Sequence, residues 1–380
     1  MNKVRITSGI YFTFCLIIIG VISCTKEPFG KREKQGELVL PATSYAYFDK
    51  HGINNNLATL GRVLFYDQQL SANNAVSCGS CHKQEFAFAN NVRFDKGFNG
   101  LELNRNSPSI QGINGFFSNS FDSSAGMPTL QNQNQVLLFW DGRQNNVADM
   151  VLNPVLNHNE MNLPDFETLV KKLSEVSYYP LLFQKSFGDQ KITKERIAFA
   201  LEGFISCMNS NGNSNGNDSL NELEEQGKLL FHNKYNCAQC HDRSGSKFGS
   251  NPGGYGGGSD PSEMFNIGLD EVYKDNGLGK ITGKPGDKGL FKVPTLQNIS
   301  VTAPYMHDGR FANLGEVLDH YSHGIKNNIN LSSKFLNTDG TPTKLNITPV
   351  EKKAIIAFLN TLKNEDFLVN PMYANPFKKK

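Results

Sequence analysis

The sequence predicts a mainly α-helical protein built as two related domains. Three observations lead there. A five-residue word, C-x-x-C-H, is written twice, as "CGSCH" at Cys78 to His82 and as "CAQCH" at Cys237 to His241. Four further landmarks flank both copies in the same order. Apolar residues fall at the period of a helix, and the alternation that marks strands is scarce.

The elements follow in chain order. Lys3 and Arg5 precede an apolar run, Ile10 to Ser23, that is shorter than the ~20 residues of a bilayer span. The run closes in "VISC", which resembles a bacterial lipobox, with Cys24 as the lipidated residue. Residues 1–23 are thus expected to be a lipoprotein signal peptide, and 24–44 a tether. An uncleaved signal anchor would leave the same domains outside the cytoplasm.

The first domain is expected over 45–208. Leu57, Leu60, Val63 and Leu64 predict a helix before the first Cys word, and Ile197, Leu201, Phe204 and Ile205 predict one that closes the domain. Residues 209–218 (NSNGNSNGND) are polar and Gly-interrupted, so they cannot build a core and read as a linker. The second domain, 219–365, repeats the plan. Gly61-Arg62-Val63-Leu64-Phe65 returns as Gly227-Lys228-Leu229-Leu230-Phe231. Pro108-Ser109-Ile110-Gln111 returns as Pro294-Thr295-Leu296-Gln297, Trp140-Asp141-Gly142-Arg143 as His307-Asp308-Gly309-Arg310, and Ile192-Thr193 as Ile347-Thr348. Five landmarks recurring in the same order, 155 to 186 residues later, argue for internal duplication. Thr348 with Glu351 forms a capping box, with Pro349 at the first helical position. The run at 252–258 (PGGYGGG) is a loop, and 366–380 reads as a C-terminal tail.

The 380 residues carry a net charge of +2, and without Lys3 and Arg5 the acidic and basic counts are equal. Nothing in that balance points to nucleic acid, so any charged partner is met by a local patch. Seven cysteines sort themselves. Cys15 lies in the signal, Cys24 is the lipid site, and four belong to the repeated word. Cys207, in an apolar setting, is expected to be a buried free thiol.

Two disulfides are the plainest use of four cysteines in an exported chain. A single C-x-x-C-H could also be a redox dithiol or half of a zinc site. Two copies, each with its histidine, in an exported repeat, point instead to c-type haem. Each thiol adds to one vinyl group of a porphyrin, and the adjacent His82 or His241 reaches the iron.

The chain resembles the bacterial dihaem cytochrome c peroxidases, a superfamily that includes the MauG-type protein-oxidising enzymes. The resemblance spans roughly Leu57 to Leu362. It rests on the two Cys words, "RNSPS" at Arg105 to Ser109, "FWDGR" at Phe139 to Arg143, "NEM" at Asn159 to Met161, and "TAPYMHDGR" at Thr302 to Arg310. It implies two cytochrome c-like domains with one haem each and a calcium ion between them. Peroxide would react at the N-terminal haem, and electrons would enter at the C-terminal one. Trp140 matches the tryptophan that carries electrons between haems. Glu160, twenty residues further on, matches the distal acid that moves protons during O–O cleavage. Met150 stands where the family often has a distal Gln. Asn106, Thr302 and Pro304 match the calcium ligands, whose oxygens suit a hard cation.

The sixth ligand of each iron separates subtypes. The peroxidases carry a Met fourteen residues after the His of "HDG". Here that position is Tyr321, as in MauG-type proteins, with Met306, His320 and His323 as nearby alternatives. No His lies between Lys83 and Gln135, which predicts an uncapped N-terminal haem, and His158 is the one histidine near Glu160. The leading expectation is a periplasmic peroxidase, lipid-anchored to the outer membrane. It would take hydrogen peroxide and a small cytochrome c or other donor, and a homodimer is compatible with it. A MauG-type oxidase of a partner protein is the second reading. A pure electron-transfer cytochrome is the third, against which Glu160 and the missing distal His both count.

Overall fold

A computed structural model describes residues 37–39, 55–113, 121–122, 127–128, 137–208, 220–241 and 264–377. The signal segment, Cys24, the linker 209–218 and the Gly-rich run 252–258 lie outside the described residues.

Helix α1 (Asn55–Tyr66) forms where its apolar spacing predicts, and Leu57, Leu60, Val63, Leu64 and Phe65 are all buried. A short helix, α2 (Cys78–Cys81), holds the first Cys word, and Ser80 Oγ accepts from the Ser77 N–H at 2.9 Å. Strands β1 (Phe121–Asp122) and β2 (Met127–Pro128) pair antiparallel. Then come α3 (Val147–Leu156), α4 (Phe166–Ser174), α5 (Tyr179–Phe187) and α6 (Lys194–Cys207). The last is capped by Thr193, whose hydroxyl accepts from the Arg196 N–H at 3.3 Å.

The second half opens with α7 (Glu222–Leu229), capped by Asn221, which accepts from the Glu224 N–H at 3.0 Å. Helix α8 (Ala238–His241) holds the second Cys word. Strand β3 (Met264–Phe265), helix α9 (Gly279–Thr282) and strand β4 (Phe291–Lys292) follow, β3 pairing antiparallel with β4. Helix α10 (Leu314–Asp319) and α11 (Pro349–Asn360) complete this half, and α12 (Glu365–Val369) ends the helical run. The expected capping box of α11 is present. Thr348 Oγ1 accepts from the Glu351 N–H at 3.3 Å, and Glu351 accepts from the Thr348 N–H at 3.0 Å. The chain is mainly α, as its periodicity predicts.

Two hydrophobic cores result. The first gathers α1, α3 and α6, and the second gathers Leu230 and Phe231 just after α7 with α10 and α11. One contact recurs in both. A Cβ on Gly61 would lie 1.8 Å from the Ala200 carbonyl oxygen, and one on Gly227 would lie 1.9 Å from that of Ala354. Each glycine therefore lets two helices touch at the backbone, with Phe204 or Phe358 packed behind it. Burying each such side chain contributes about 1.5–3 kcal/mol.

The end of the chain does more than the sequence suggested. Phe367, Leu368, Tyr373 and Phe377 belong to the first core, not the second. Tyr66 donates to the Tyr373 carbonyl at 2.6 Å, Arg62 to that of Ala374 at 2.7 Å, and Tyr373 to that of Cys207 at 2.7 Å. The residues read as a tail thus tie the second half back onto the first.

Candidate dihaem site

Both Cys words open onto one cavity of about 660 Å³. Cys78, Cys81 and His82 line one part of it, and Cys237, Cys240 and His241 line another. All four cysteines are free thiols. Among the described residues, no cluster of three or more Cys, His, Asp or Glu side chains is placed to hold a metal ion.

Each histidine is set the same way. His82 Nδ1 lies 2.8 Å from the Phe88 carbonyl oxygen, and His241 Nδ1 lies 3.3 Å from that of Pro294. An Nδ1–H donated to a carbonyl leaves Nε2 with the free lone pair, the arrangement a metal-binding imidazole needs. Ala87 and Phe88 have φ of 52° and 59°, and this left-handed pair turns the Phe88 carbonyl back onto His82. Burial lowers the basicity of both rings, that of His241 to about 4, which keeps them neutral. Burial also raises the thiols, Cys78 to about 12 and Cys237 to about 11. The walls are apolar: Phe65, Leu201 and Ile205 on the first side, Leu318, Ile355 and Leu359 on the second. Two thiols, a neutral imidazole with its Nε2 free and an apolar wall fit a c-type haem in each half.

Trp140 lines the same cavity as both words. Its indole Nε1–H donates to the Asn106 carbonyl at 2.8 Å, and its own carbonyl accepts from Lys292 of β4 at 2.9 Å. It therefore sits at the seam of the two halves. That seam is held by Arg105, which reaches Asp141 at 2.6 Å and Asp275 at 2.6 and 2.8 Å. Arg143 also pairs with Asp141, at 3.0 Å. The sequence reading did not assign Arg105 this part. The available signal was the word "RNSPS", which Arg105 opens.

Glu160 lines the cavity with Met150, and its charge is felt at both Cys78 and Cys81. Asn157 Nδ2 donates to its Oε1 at 2.6 Å. Gly97 packs against the Asn159 carbonyl with no room for a Cβ, and the Phe98 N–H donates to the Glu160 carbonyl at 2.8 Å, so the loop is pinned. Burial raises the carboxyl above its ordinary value, while Arg143 and the Asn157 hydrogen bond pull the other way. His158 is exposed and does not line the cavity.

Asn106, Thr302 and Pro304 also line the cavity. Asn106 turns its amide nitrogen to the Val92 and Arg93 carbonyls, at 3.0 and 3.4 Å. Among the described residues, its Oδ1 and the carbonyls of Thr302 and Pro304 accept no hydrogen bond. Three oxygens without donors fit a hard cation.

Tyr321 lines the second part of the cavity, stacks on Phe335 at 6.1 Å, and is electrostatically coupled to Cys237 and Cys240. Burial raises its phenol. His320 turns Nε2 to the Ile267 carbonyl at 2.9 Å, His323 is exposed, and neither lines the cavity, whereas Met306 does. Cys207 is a buried free thiol, as its setting predicts. Gln297 was not singled out, yet its amide is buried on the cavity wall with both polar atoms unpaired among the described residues.

The family described as Di-haem cytochrome c peroxidase matches residues 55–225. The cytochrome c551 peroxidase of Nitrosomonas europaea is 28% identical over 319 residues, covering 81% of this chain and 80% of that one. The methylamine utilization protein MauG of Methylophilus methylotrophus is 29% identical over 317 residues, covering 80% and 82%. A crystal structure of a MauG-like protein associated with microbial copper homeostasis aligns with a TM-score of 0.67 at 29% identity, covering 86% of this chain and 95% of that one. With both Cys words, their paired histidines and the two helical halves in place, this chain is similar to the dihaem cytochrome c peroxidases and MauG proteins, a likeness that implies two c-type haems.

Proposed function

We propose that this chain is a c-type dihaem peroxidase. It reduces hydrogen peroxide to water in the first pocket, with electrons received through the second from a small cytochrome c or another donor. The observation that carries the reading is Glu160, a cavity-lining carboxyl beside the first Cys pair, with a raised pKa and its own hydrogen-bonded support. Haem bound through Cys78, Cys81 and His82, and through Cys237, Cys240 and His241, supplies the electron-transfer chemistry and the site where peroxide accepts two electrons.

The side chains supply the rest. Glu160, ionised, takes a proton from peroxide and returns it to the departing oxygen, which leaves as water. Asn157 fixes the carboxyl, and Arg143 favours its ionised form. Met150 offers peroxide no strong hydrogen bond, which puts the proton work on Glu160. Trp140, on the wall between the pockets, passes electrons from the second half to the first. Asn106, Thr302 and Pro304 hold one calcium ion through their oxygens and stiffen the seam around Trp140. The two haem domains, 45–208 and 219–365, arose by duplication. The protein is exported to the periplasm and anchored to the outer membrane through a lipid on Cys24. Among the described residues no helix is long and apolar enough to cross a membrane.

The test is steady-state peroxide turnover by the dihaem protein with a reduced small cytochrome. Activity in the wild type and its loss in Glu160→Gln support the reading, and full activity in the variant would sink the proton-transfer assignment. Tyr321 favours a second reading, a MauG-type enzyme that oxidises a residue of a partner protein. An anionic oxygen ligand stabilises ferric iron and makes higher oxidation states easier to reach. Low-temperature EPR separates the two. One equivalent of peroxide removes both ferric signals in a MauG-type site, and only the high-spin signal in a peroxidase awaiting its donor.

A further inference from the structure

Asp67 follows α1 directly and is completely buried. Its Oδ2 accepts two phenol hydrogen bonds, from Tyr178 and from Tyr179, both at 2.6 Å. Its Oδ1 accepts from the Gln69 N–H at 2.7 Å. Lys172, held by the Ser71 carbonyl at 2.6 Å and Asn74 Oδ1 at 2.8 Å, lies close enough for its charge to feel Asp67. The tyrosine rings are 4.8 Å apart. Tyr179 is fully buried, while Tyr178 reaches the surface.

This group abuts the first Cys word. Tyr66 lies against Gly79, between the two thiols, so closely that a Cβ there would sit 2.4 Å from its ring. Cys78 packs against the same hydrophobic core that contains Tyr179. A buried phenol next to a redox site, hydrogen-bonded to a carboxylate and in ring contact with a second phenol at the surface, has the parts of a radical relay. One-electron oxidation makes a phenol a strong acid, so the step needs a base already in place. A cap for the turn after α1 needs Asp67 to accept one hydrogen bond, from the Gln69 N–H, not two phenols on its other oxygen.

We propose that Tyr179, Tyr178 and Asp67 form a redox-active relay that carries oxidising equivalents from the first pocket to the surface, on a route separate from Trp140. The proposal rests on the peroxidase reading for its oxidant, hydrogen peroxide. Tyr179 gives one electron to the oxidised first pocket and its phenolic proton to Asp67. An electron then passes from Tyr178 to Tyr179. As it does, Asp67 returns its proton to Tyr179 and takes the one from Tyr178. The Tyr178 radical at the surface is quenched by a small one-electron reductant such as an exogenous phenol, which supplies the electron, while Asp67 returns the proton. The relay drains the first pocket when no donor feeds the second.

The experiment is rapid-freeze EPR of the oxidised dihaem protein mixed with peroxide and no donor, with the haem optical spectrum followed in parallel. A tyrosyl radical is expected that survives in Trp140→Phe and disappears in the Tyr178→Phe/Tyr179→Phe double variant. Tyr178→Phe alone should leave a radical on Tyr179 that added phenol no longer quenches. Asp67→Asn should cut the radical yield while the optical response to peroxide persists. An optical response without a tyrosyl radical, or with one unaffected by the double variant, overturns the relay. If peroxide leaves the optical spectrum unchanged, the peroxidase reading falls. The relay is then judged with a soluble one-electron photo-oxidant, and a radical that the double variant does not remove refutes it.

Discussion

Glu160 and Glu202 are both shielded carboxyls, but their surroundings give them different work. Glu160 faces the cavity and keeps a hydrogen bond from Asn157. Its raised pKa means that the ionised form needed to accept a proton develops only above the ordinary carboxylate value of 4.5. Peroxide turnover should therefore rise with pH through a pKa above 4.5. Glu160→Gln should remove that limb and lower kcat by roughly 10²- to 10⁴-fold, read from a pH–rate profile of the dihaem enzyme. Glu202, on α6, is buried with no hydrogen-bond partner among the described residues, and burial lifts its carboxyl from 4.5 to about 7. The fold takes up a proton there between those two values, so stability falls as pH rises through that window. At pH 8 the penalty is complete, at about 3 kcal/mol. Glu202→Gln should flatten the slope and raise the Tm at pH 8, as thermal melts across pH would record.

At the scale of elements, each half is organised by a helix pair in backbone contact. Gly61 meets Ala200 where α1 crosses α6, and Gly227 meets Ala354 where α7 crosses α11. A methyl group at either glycine collides with a carbonyl, which cannot rotate away as a side-chain tip could. Gly227→Ala should cost at least about 3 kcal/mol, the upper end of ordinary overpacking, and lower the denaturation midpoint. The leucine and phenylalanine spacing of α1 and α6 was legible because a helix with one buried stripe writes its period into the sequence. The short helices that hold the Cys words carry no such stripe, and the first is placed by its cap and by the turn at Ala87 and Phe88.

At the scale of the whole molecule, the seam decides what the two halves do together. Arg105 reaches from the first half to Asp275 in the second while holding Asp141 beside Trp140. Its side chain is about one-fifth exposed, so solvent weakens the pairs somewhat. Arg105→Leu leaves Asp141, almost fully buried, with Arg143 as its remaining cation. A loss of about 2 kcal/mol is expected, below the full cost of breaking a buried pair. Amide exchange should quicken at 275–292 before it quickens in α1 or α6. The end of the chain is the other tie, through Phe367, Tyr373 and Phe377 in the first core. Truncation before Glu365 should destabilise the first half, although the lost residues follow the second in sequence.

The sequence by itself determined the helical class and the two Cys words with their recurring flanks, and the family resemblance it carries marked Glu160, Trp140 and Tyr321 as residues to examine. Those features are local: a helical period, a fixed spacing of thiols and imidazole, a word recurring in order. Tertiary structure alone decided that both words open onto one cavity, that His320 is spent on the Ile267 carbonyl while Tyr321 lines the second pocket, and that the tail belongs to the first core. It also brought Asp67 under two phenols that follow it by more than a hundred residues. The physical reason is that such contacts depend on how elements cross. The crossing is set by a few close approaches, such as Gly61 on Ala200, whose partners are distant in the chain.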